Sequence, residues 1–267
     1  MIFINYLENF ISKNIIFSGF LASFVAGLAT VLGAFFLLLF KKVSKKFMDA
    51  SLGFAAGVML AASIFSLIIP ALNIHKEKLL SVIVVSMGIL IGAVFIDFID
   101  KNIPHEHFIK GHEGDISKIK KIWLFIIAIT LHNFPEGLAV GAGFGTGLPE
   151  QIKNGLSLTL GIGLQNIPEG MAVAFSLFSE KTSVKKAIFV SFLTGLVEPI
   201  GGLVGVLFVN IASSFLPWGM AFAAGAMLFV ISDEIIPETH RGGFERLATF
   251  SVLIGFCVMM FLDVLLG

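Results

Sequence analysis

The feature that most constrains the fold is a series of long apolar segments that covers most of the chain. The sequence has 267 residues, of which 57% are hydrophobic and only 13% are charged. About 20 consecutive apolar residues form one helix across a bilayer. Segments of this length lie near 16–40, 48–70, 79–100, 122–144, 152–179, 184–210, 215–237 and 245–266. The sequence therefore predicts an all-α membrane protein with eight transmembrane helices in a single polytopic domain, residues 1–267.

The basic residues are distributed unevenly over the connections between these segments. Clusters of lysine follow the first, third and fifth segments, and two arginines follow the seventh, whereas the other connections contain few basic residues. By the positive-inside rule, the odd-numbered connections are cytoplasmic. Since an even number of crossings returns the chain to its starting face, we expect both termini to be extracytoplasmic. The one long polar connection, 101–121, is then a cytoplasmic loop, and we expect it to lack fixed structure.

Three classes of chemistry or processing find little support in the sequence. The single cysteine, Cys257, is incompatible with a disulfide framework or a cysteine-based zinc cage. The N-terminal residues lack the basic region, apolar core and cleavage site of a signal peptide, so we expect none to be removed. No glycine-rich stretch has the pattern of a phosphate-binding loop, so ATP hydrolysis is not expected.

A polar motif occurs twice within the apolar segments. The fourth segment contains HNFPEG at 132–137, and the fifth contains QNIPEG at 165–170. Because successive crossings run in opposite directions, the two copies predict an inverted repeat about a pseudo-two-fold axis in the membrane plane. Transporters with such repeats carry their site near the bilayer midplane, so we expect one shared site between helices 4 and 5.

The spacing within each motif places two polar side chains on one helix face. Residues i and i+4 share a face, so His132 is expected beside Glu136, and Gln165 beside Glu169. The proline between them lacks an N–H and is expected to bend the helix and free the carbonyl four residues back. A freed carbonyl in a bilayer needs a partner such as water or a cation.

The acidic side chains of these segments require compensation. Glu136, Glu169 and Glu198 each cost about 2.5–3.5 kcal/mol at the centre of a transmembrane helix, and no basic residue lies near the middle of a segment to offset them. A divalent cation would offset them, because carboxylate oxygens and a neutral imidazole are suitable ligands. The nitrogen of His132 favours zinc, iron or another transition metal over magnesium or calcium.

The two motifs, with AAGVMLAASIFSLIIP in the second segment and VEPIGG in the sixth, resemble the ZIP (Zrt/Irt-like) divalent metal transporters, particularly the bacterial GufA-type branch. The resemblance covers nearly the whole chain. It implies an eight-helix protein of the cell inner membrane that imports zinc, and also cadmium, iron or manganese, through a metal site between helices 4 and 5. The metal is then a transported substrate, and we expect neither a cofactor nor enzymatic activity.

The resemblance also implies the ligands of two metal positions. The first consists of His132, Glu136, Gln165 and Glu169, with Met59 close by. The second consists of Asn133, Asn166 and Glu198, with Glu136 and Glu169 bridging the two positions. Some relatives have aspartate in place of Asn166, so the second position here carries one negative charge fewer and is expected to bind metal more weakly.

Polar residues near the segment ends suggest a path for the ion. The cytoplasmic ends of the third and seventh segments contain Asp97, Asp100, Asp233, Glu234, Glu238 and His240. These residues are equally consistent with an exit route and with ordinary charges at helix ends. An entrance on the other side could be lined by Asn73, His75 and Asp263. The cytoplasmic loop contains further histidines and glutamates, which would either capture emerging metal or simply belong to a polar loop. They are His105, Glu106, His107, His112 and Glu113.

Two other function classes stay open on the residues alone. An intramembrane metalloprotease needs paired histidines around a glutamate, and only one histidine lies deep within a segment. A proton or monovalent-cation channel would use the same acids, and zinc uptake distinguishes it from a metal transporter. We expect the divalent ion and the lipid bilayer as partners and no nucleic acid. The sequence leaves open a homodimer, the physiological metal and proton coupling.

Overall fold

The computed structural model is built mainly of long helices. It describes residues 11–40, 42–102, 105–107, 111–113, 121–179, 182–211, 213–240 and 242–266. The long helices are α1 (Ile15–Leu39), α2 (Lys45–Ile74), α3 (Lys78–Asn102), α4 (Lys121–Gly143), α5 (Pro149–Ser179), α6 (Val184–Ile211), α7 (Leu216–Thr239) and α8 (Glu245–Leu266). Each of them overlaps one of the apolar segments identified in the sequence.

The connection between α3 and α4 contains a short hairpin. Strands β1 (His105–His107) and β2 (Gly111–Glu113) pair antiparallel. The expectation that this connection lacks fixed structure is therefore wrong for these residues, because their backbones pair with each other. Five residues of this connection were predicted either to capture metal or to belong to an ordinary polar loop. Their side chains lie outside the described part of the chain, so a role in metal capture stays a prediction.

Six helices within the described residues are long and apolar enough to cross a membrane, namely α1, α2, α3, α6, α7 and α8. α4 and α5, which carry the polar motifs, are not among the six. Large apolar side chains also cover the outside of the bundle: Leu90 and Val94 of α3 and Phe261 and Val264 of α8 are more than half exposed. An apolar surface of this extent is unusual for a protein in water and suits a lipid environment.

The helices pack in two groups. In the first, α1 packs against α5 and α6, and α4 packs against α6 and α5. In the second, α2 packs against α8, and α3 packs against α7. The groups meet where α5 touches α2 and α8 and where α4 touches α7. Both motif-bearing helices thus belong to the first group and line the boundary with the second.

Glycines set the separation of the helices in the first group. A Cβ atom on Gly137 of α4 would collide with the carbonyl oxygen of Glu198 in α6, and one on Gly170 of α5 would collide with that of Thr30 in α1. Each of these glycines directly follows the glutamate of its motif. Small residues allow this close backbone approach between helices in membranes, so the glycines bring the motif glutamates up against α6 and α1.

Two helices of the second group contain π-helical turns. In α2 the π segment is Ala62–Ile68, and in α7 it is Ile231–Ile235. Each is preceded by nearly the same sequence, FAAGVML at 54–60 and FAAGAML at 222–228, and each is followed by Ile-Pro. Proline cannot donate a backbone hydrogen bond to the preceding turn, which accounts for irregular hydrogen bonding just before it. Such turns often occur at functional sites.

Candidate metal site

The polar motif residues lie buried at the contact of α4, α5 and α6. Glu136, Gln165, Asn166 and Glu198 have no solvent exposure, and Asn133 is 1% exposed. His132 and Glu169 are also buried. Both α4 and α5 remain helical through their internal prolines, so these prolines do not end either helix. Glu198 begins the second half of α6, Glu198–Ile211, after a break that follows Gly195.

The asparagines of the two motifs make equivalent hydrogen bonds. Nδ2 of Asn133 donates to the carbonyl of Thr194 in α6, and Nδ2 of Asn166 donates to the carbonyl of Ala26 in α1, both at 2.9 Å. Each bond joins a motif to its neighbouring helix at the place where the glycine contact brings the backbones together. The asparagine side chains are thereby held in a fixed orientation.

Amide groups also connect the acidic side chains. Nε2 of Gln165 donates to Oε1 of Glu136 at 2.6 Å, which links the two motifs directly. Nδ2 of Asn166 donates to Oε1 of Glu198 at 2.7 Å. Glu136 lies close enough to Glu169 and Glu198 to interact with both electrostatically. The structure therefore brings the three acids predicted from the sequence into one buried region.

A set of buried oxygen atoms in this region has no hydrogen-bond partner among the described residues. Buried polar atoms are normally paired, because an unpaired one loses its interaction with water without a replacement. Buried oxygens that lack donors are suitable ligands for a cation. The six unpartnered oxygens of the region are Asn133 Oδ1, Glu136 Oε2, Gln165 Oε1, Asn166 Oδ1, Glu169 Oε1 and Glu198 Oε2.

His132 has a partner that the sequence did not suggest. Its Nε2 lies 2.6 Å from Oε2 of Glu234, in the π segment of α7. The imidazole also interacts electrostatically with Glu169. From the sequence, Glu234 was predicted only as a residue of an exit route. The one feature that could have indicated another role is its position as an acid within an apolar segment, shortly before Ile-Pro. The structure instead places this acid against the histidine of the first motif.

The acids and the histidine do not form a compact centre by themselves. Across the described ranges, no three His, Cys, Asp or Glu side chains are arranged to hold one metal ion. The unpartnered oxygens include three from amide side chains, those of Asn133, Gln165 and Asn166. Any site here is thus a mixture of carboxylate and amide oxygens, with His132 engaged by Glu234 in this conformation.

The remaining predicted site residue, Met59, lies in α2. It is fully buried in the largest hydrophobic cluster, and its carbonyl accepts a hydrogen bond from the Ser63 hydroxyl at 2.9 Å. These contacts are those of a packing residue. A metal-ligand role for Met59 stays a prediction.

The residues predicted for an entrance and an exit lie towards the helix ends. Asn73 is exposed and His75 is half-buried, whereas Asp263 accepts a hydrogen bond from Ser66. On the other side, Asp97 forms an ion pair with Lys101 at 2.7 Å. The His240 ring bonds to the Ile236 carbonyl at 2.8 Å and also contacts Thr239. Asp233 and Glu238 are half-buried, and the side chain of Asp100 lies outside the described part.

A comparison with families of known proteins matches a large part of this chain. The family model described as the ZIP zinc transporter matches residues 104–263, which is more than half of the chain. The chain belongs to the ZIP family.

Individual members of the ZIP family are similar over nearly the whole chain. The zinc transporter GufA of Myxococcus xanthus is 46% identical over 255 residues, covering 94% of this chain and 99% of that protein. The zinc transporter ZIPB of Bordetella bronchiseptica is 43% identical, covering 90% of this chain and 78% of its own. The human zinc transporter ZIP11 is 32% identical, and the match covers 94% of this chain and 98% of that protein. The predicted GufA-type branch of the ZIP family is confirmed.

Membership of the ZIP family confirms two further predictions. ZIP proteins are transporters, so the chain is not an enzyme, and the metalloprotease alternative is removed. The chain is a multi-pass membrane protein, in agreement with the six helices of membrane-spanning length and hydropathy within the described residues. The metal-binding roles of individual residues stay predictions.

Proposed function

We propose that this ZIP family protein carries divalent transition metal ions, zinc foremost, into the cytoplasm through a site between α4, α5 and α6. The observation that carries the proposal is the group of six unpartnered, buried oxygen atoms contributed by both copies of the motif and by Glu198. It is supported by similarity to proteins named as zinc transporters. Cadmium, iron and manganese are further candidate substrates.

In this proposal the ion binds at one or two adjacent positions. His132, Glu136, Gln165 and Glu169, with Met59 nearby, would form the first. The second would use Asn133, Asn166 and Glu198, with the carboxyls of Glu136 and Glu169 shared. Asn166 provides a neutral amide where some relatives have a carboxylate, so the second position would hold metal less tightly than the same position in those relatives.

The proposal includes an inverted repeat over eight membrane-spanning helices. The contacts described above come in pairs: Gly137 with α6 and Gly170 with α1, Asn133 with α6 and Asn166 with α1. The same pairing relates α2 to α7, which share the FAAG sequence and a π segment before Ile-Pro. A pseudo-two-fold axis in the membrane plane exchanges these halves, with the motifs of α4 and α5 at its centre.

The proposed transport step is a movement of the first helix group against the second. The helices α1, α4, α5 and α6 pack closely through their glycines, and the site belongs to this group. His132 is bonded to Glu234 of the second group, so metal binding and release would be accompanied by a change of partner at this imidazole. The ion would leave past the acidic ends of α3 and α7.

The proposed orientation follows from the distribution of lysine and arginine. The protein would reside in the cell inner membrane, with both termini extracytoplasmic and the connection 101–121 in the cytoplasm. The exposed apolar faces of α3 and α8 contact lipid in this arrangement, and a homodimer is compatible with them.

Metal flux into liposomes tests the proposed function. We expect purified protein to accelerate the uptake of radioactive zinc, with competition by cadmium, iron and manganese and none by sodium or potassium. Measuring uptake with and without a pH gradient determines whether protons are coupled to the metal. Proton or potassium flux in the absence of zinc uptake would contradict the proposal and favour a channel.

Replacement of His132 tests the basis of metal selectivity. We expect His132→Ala to weaken zinc binding by about tenfold or more. Loss of a residue that only supports a metal ligand already weakens metal binding by about tenfold at least, and His132 is proposed as a ligand itself. Magnesium binding should change much less, because magnesium prefers oxygen ligands. Isothermal titration with each ion measures both effects. Equal losses for zinc and magnesium would show that the imidazole nitrogen does not select the metal.

A further inference from the structure

A second buried polar cluster lies at one end of the bundle, away from the motifs. The Ser66 hydroxyl of α2 donates to Oδ1 of Asp263 in α8 at 2.5 Å, and the Ser157 hydroxyl of α5 approaches the same oxygen at 3.4 Å. Nδ2 of Asn154 in α5 donates to the Ser66 carbonyl at 2.6 Å. Ser66 and Ser157 have no solvent exposure. The cluster therefore joins α5 of the first helix group to α2 and α8 of the second.

The position of Ser66 in the chain explains why its carbonyl accepts a hydrogen bond from another helix. It lies in the π segment of α2, and the residue four positions later is Pro70. Since proline has no N–H, it cannot donate to the Ser66 carbonyl as a residue in a regular α-helix would. A carbonyl inside a bilayer needs another donor, and the Asn154 side chain provides one across the helix interface.

The cluster is separate from the candidate metal site. Asn154 precedes Gln165 on α5 by about three helical turns, or about 16 Å along the axis at 1.5 Å per residue. Both oxygens that receive these short bonds, the Ser66 carbonyl and Oδ1 of Asp263, are already occupied by protein donors. The arrangement is that of an interhelical contact, and by the proposed orientation it lies on the outer side.

We propose that Ser66, Asn154 and Asp263 form a latch that holds the outer end of α5 against α2 and α8. The inference rests on the proposed function, in which the first helix group moves against the second. In that movement the Asn154–Ser66 bond breaks and re-forms once in each transport cycle. In this role the latch residues are positioning residues, because they set how often the outer path opens.

Thiol labelling at Ser157 reports directly on the latch. Ser157 is fully buried beside Asp263, and cysteine has a similar size, so Ser157→Cys in a Cys257→Ser background provides a single probe. A membrane-impermeant maleimide should label it slowly. Asn154→Ala should raise the labelling rate by about fivefold, the factor expected from the loss of one ordinary hydrogen bond. Ser66→Ala removes the bond to Asp263, which lies within the second helix group, and keeps the carbonyl that Asn154 bonds, so it should leave labelling slow.

Thr159→Ala provides the matched control on the same helix. Among the described residues, the Thr159 hydroxyl bonds within α5, to the Gly155 carbonyl at 2.6 Å, so its loss should leave labelling at the background rate. In liposomes, Asn154→Ala should change the maximal rate of zinc uptake by about threefold or more, the scale of a lost hydrogen bond, and leave the zinc dissociation constant of the detergent-solubilised protein within twofold.

Labelling at the background rate in Asn154→Ala overturns the latch, as does equal acceleration by Thr159→Ala, which would indicate general loosening of α5. Failure of the proposed function would be seen in a different measurement, the zinc uptake of the wild-type protein. The wild-type protein would then transport no zinc, whereas the labelling comparison would still decide whether the contact restrains α5.

Discussion

Replacing either Glu136 or Glu169 with alanine is expected to reduce zinc uptake by at least about 100-fold, since the loss of a residue that merely supports a metal ligand already costs 10–100-fold. Both carboxyl groups are buried among the unpartnered oxygens, and Glu136 links the two motifs through its bond with Gln165. Initial rates of radioactive zinc uptake into liposomes measure the effect.

Glu150→Ala is the appropriate control for this pair of variants. Glu150 is also an acid of α5, but it is exposed in the first turn of the helix. Its removal should leave uptake unchanged, which separates the loss of a ligand from a general loss of negative charge. If Glu136→Ala and Glu169→Ala transport zinc at the wild-type rate in protein of normal stability, the motifs are not the transport site.

The positions of the helices were accessible from the sequence because lipid imposes a simple rule. Backbone groups in the bilayer have no water to bond, and a helix satisfies nearly all of them within one segment, so length and hydropathy alone predict a helix. The segment predicted at 184–210 compares with α6 at Val184–Ile211, and that at 245–266 with α8 at Glu245–Leu266. The largest difference is in α2, where helical structure extends through Pro70 to Ile74.

The grouping of the motif acids was also accessible, since it depends on local spacing. A period of 3.6 residues places positions i and i+4 on one face, and a motif repeated on consecutive helices predicts one shared region. The structure brings Glu136, Gln165 and Glu198 into that region.

The contacts of His132 and Ser66 could not be predicted in this way. Glu234 reaches His132 from α7, which is remote in sequence, and its position depends on the π turn that precedes Pro237. Ser66 bonds to Asp263 and Asn154 across two different helix interfaces. Hydropathy and helical periodicity describe one helix at a time, so they carry no information about which faces of distant helices meet.

Gly170→Ala is expected to destabilise the protein strongly, although it adds a single methyl group. That methyl would collide with the Thr30 carbonyl of α1, a backbone atom that cannot move aside without displacing the helix. Overpacking in a core typically costs about 1–3 kcal/mol and occasionally more, and we expect the upper end here. For a chain of this size about 3 kcal/mol lowers the melting temperature by roughly 6–12 °C, which thermal unfolding in detergent detects.

Gly163→Ala on the same helix provides the matched control, because its methyl would meet α1 only at an ordinary 3.7 Å from the Ala26 Cα. It should leave the melting temperature nearly unchanged. By the proposed repeat, Gly137→Ala should resemble Gly170→Ala, since its methyl meets the Glu198 carbonyl in the same way. Displacing α5 from α1 would also move the neighbouring Glu169, so zinc uptake should fall with stability. A Gly170→Ala protein as stable as the Gly163→Ala protein would mean that α1 and α5 are not in backbone contact, and the close packing of the first helix group would be wrong.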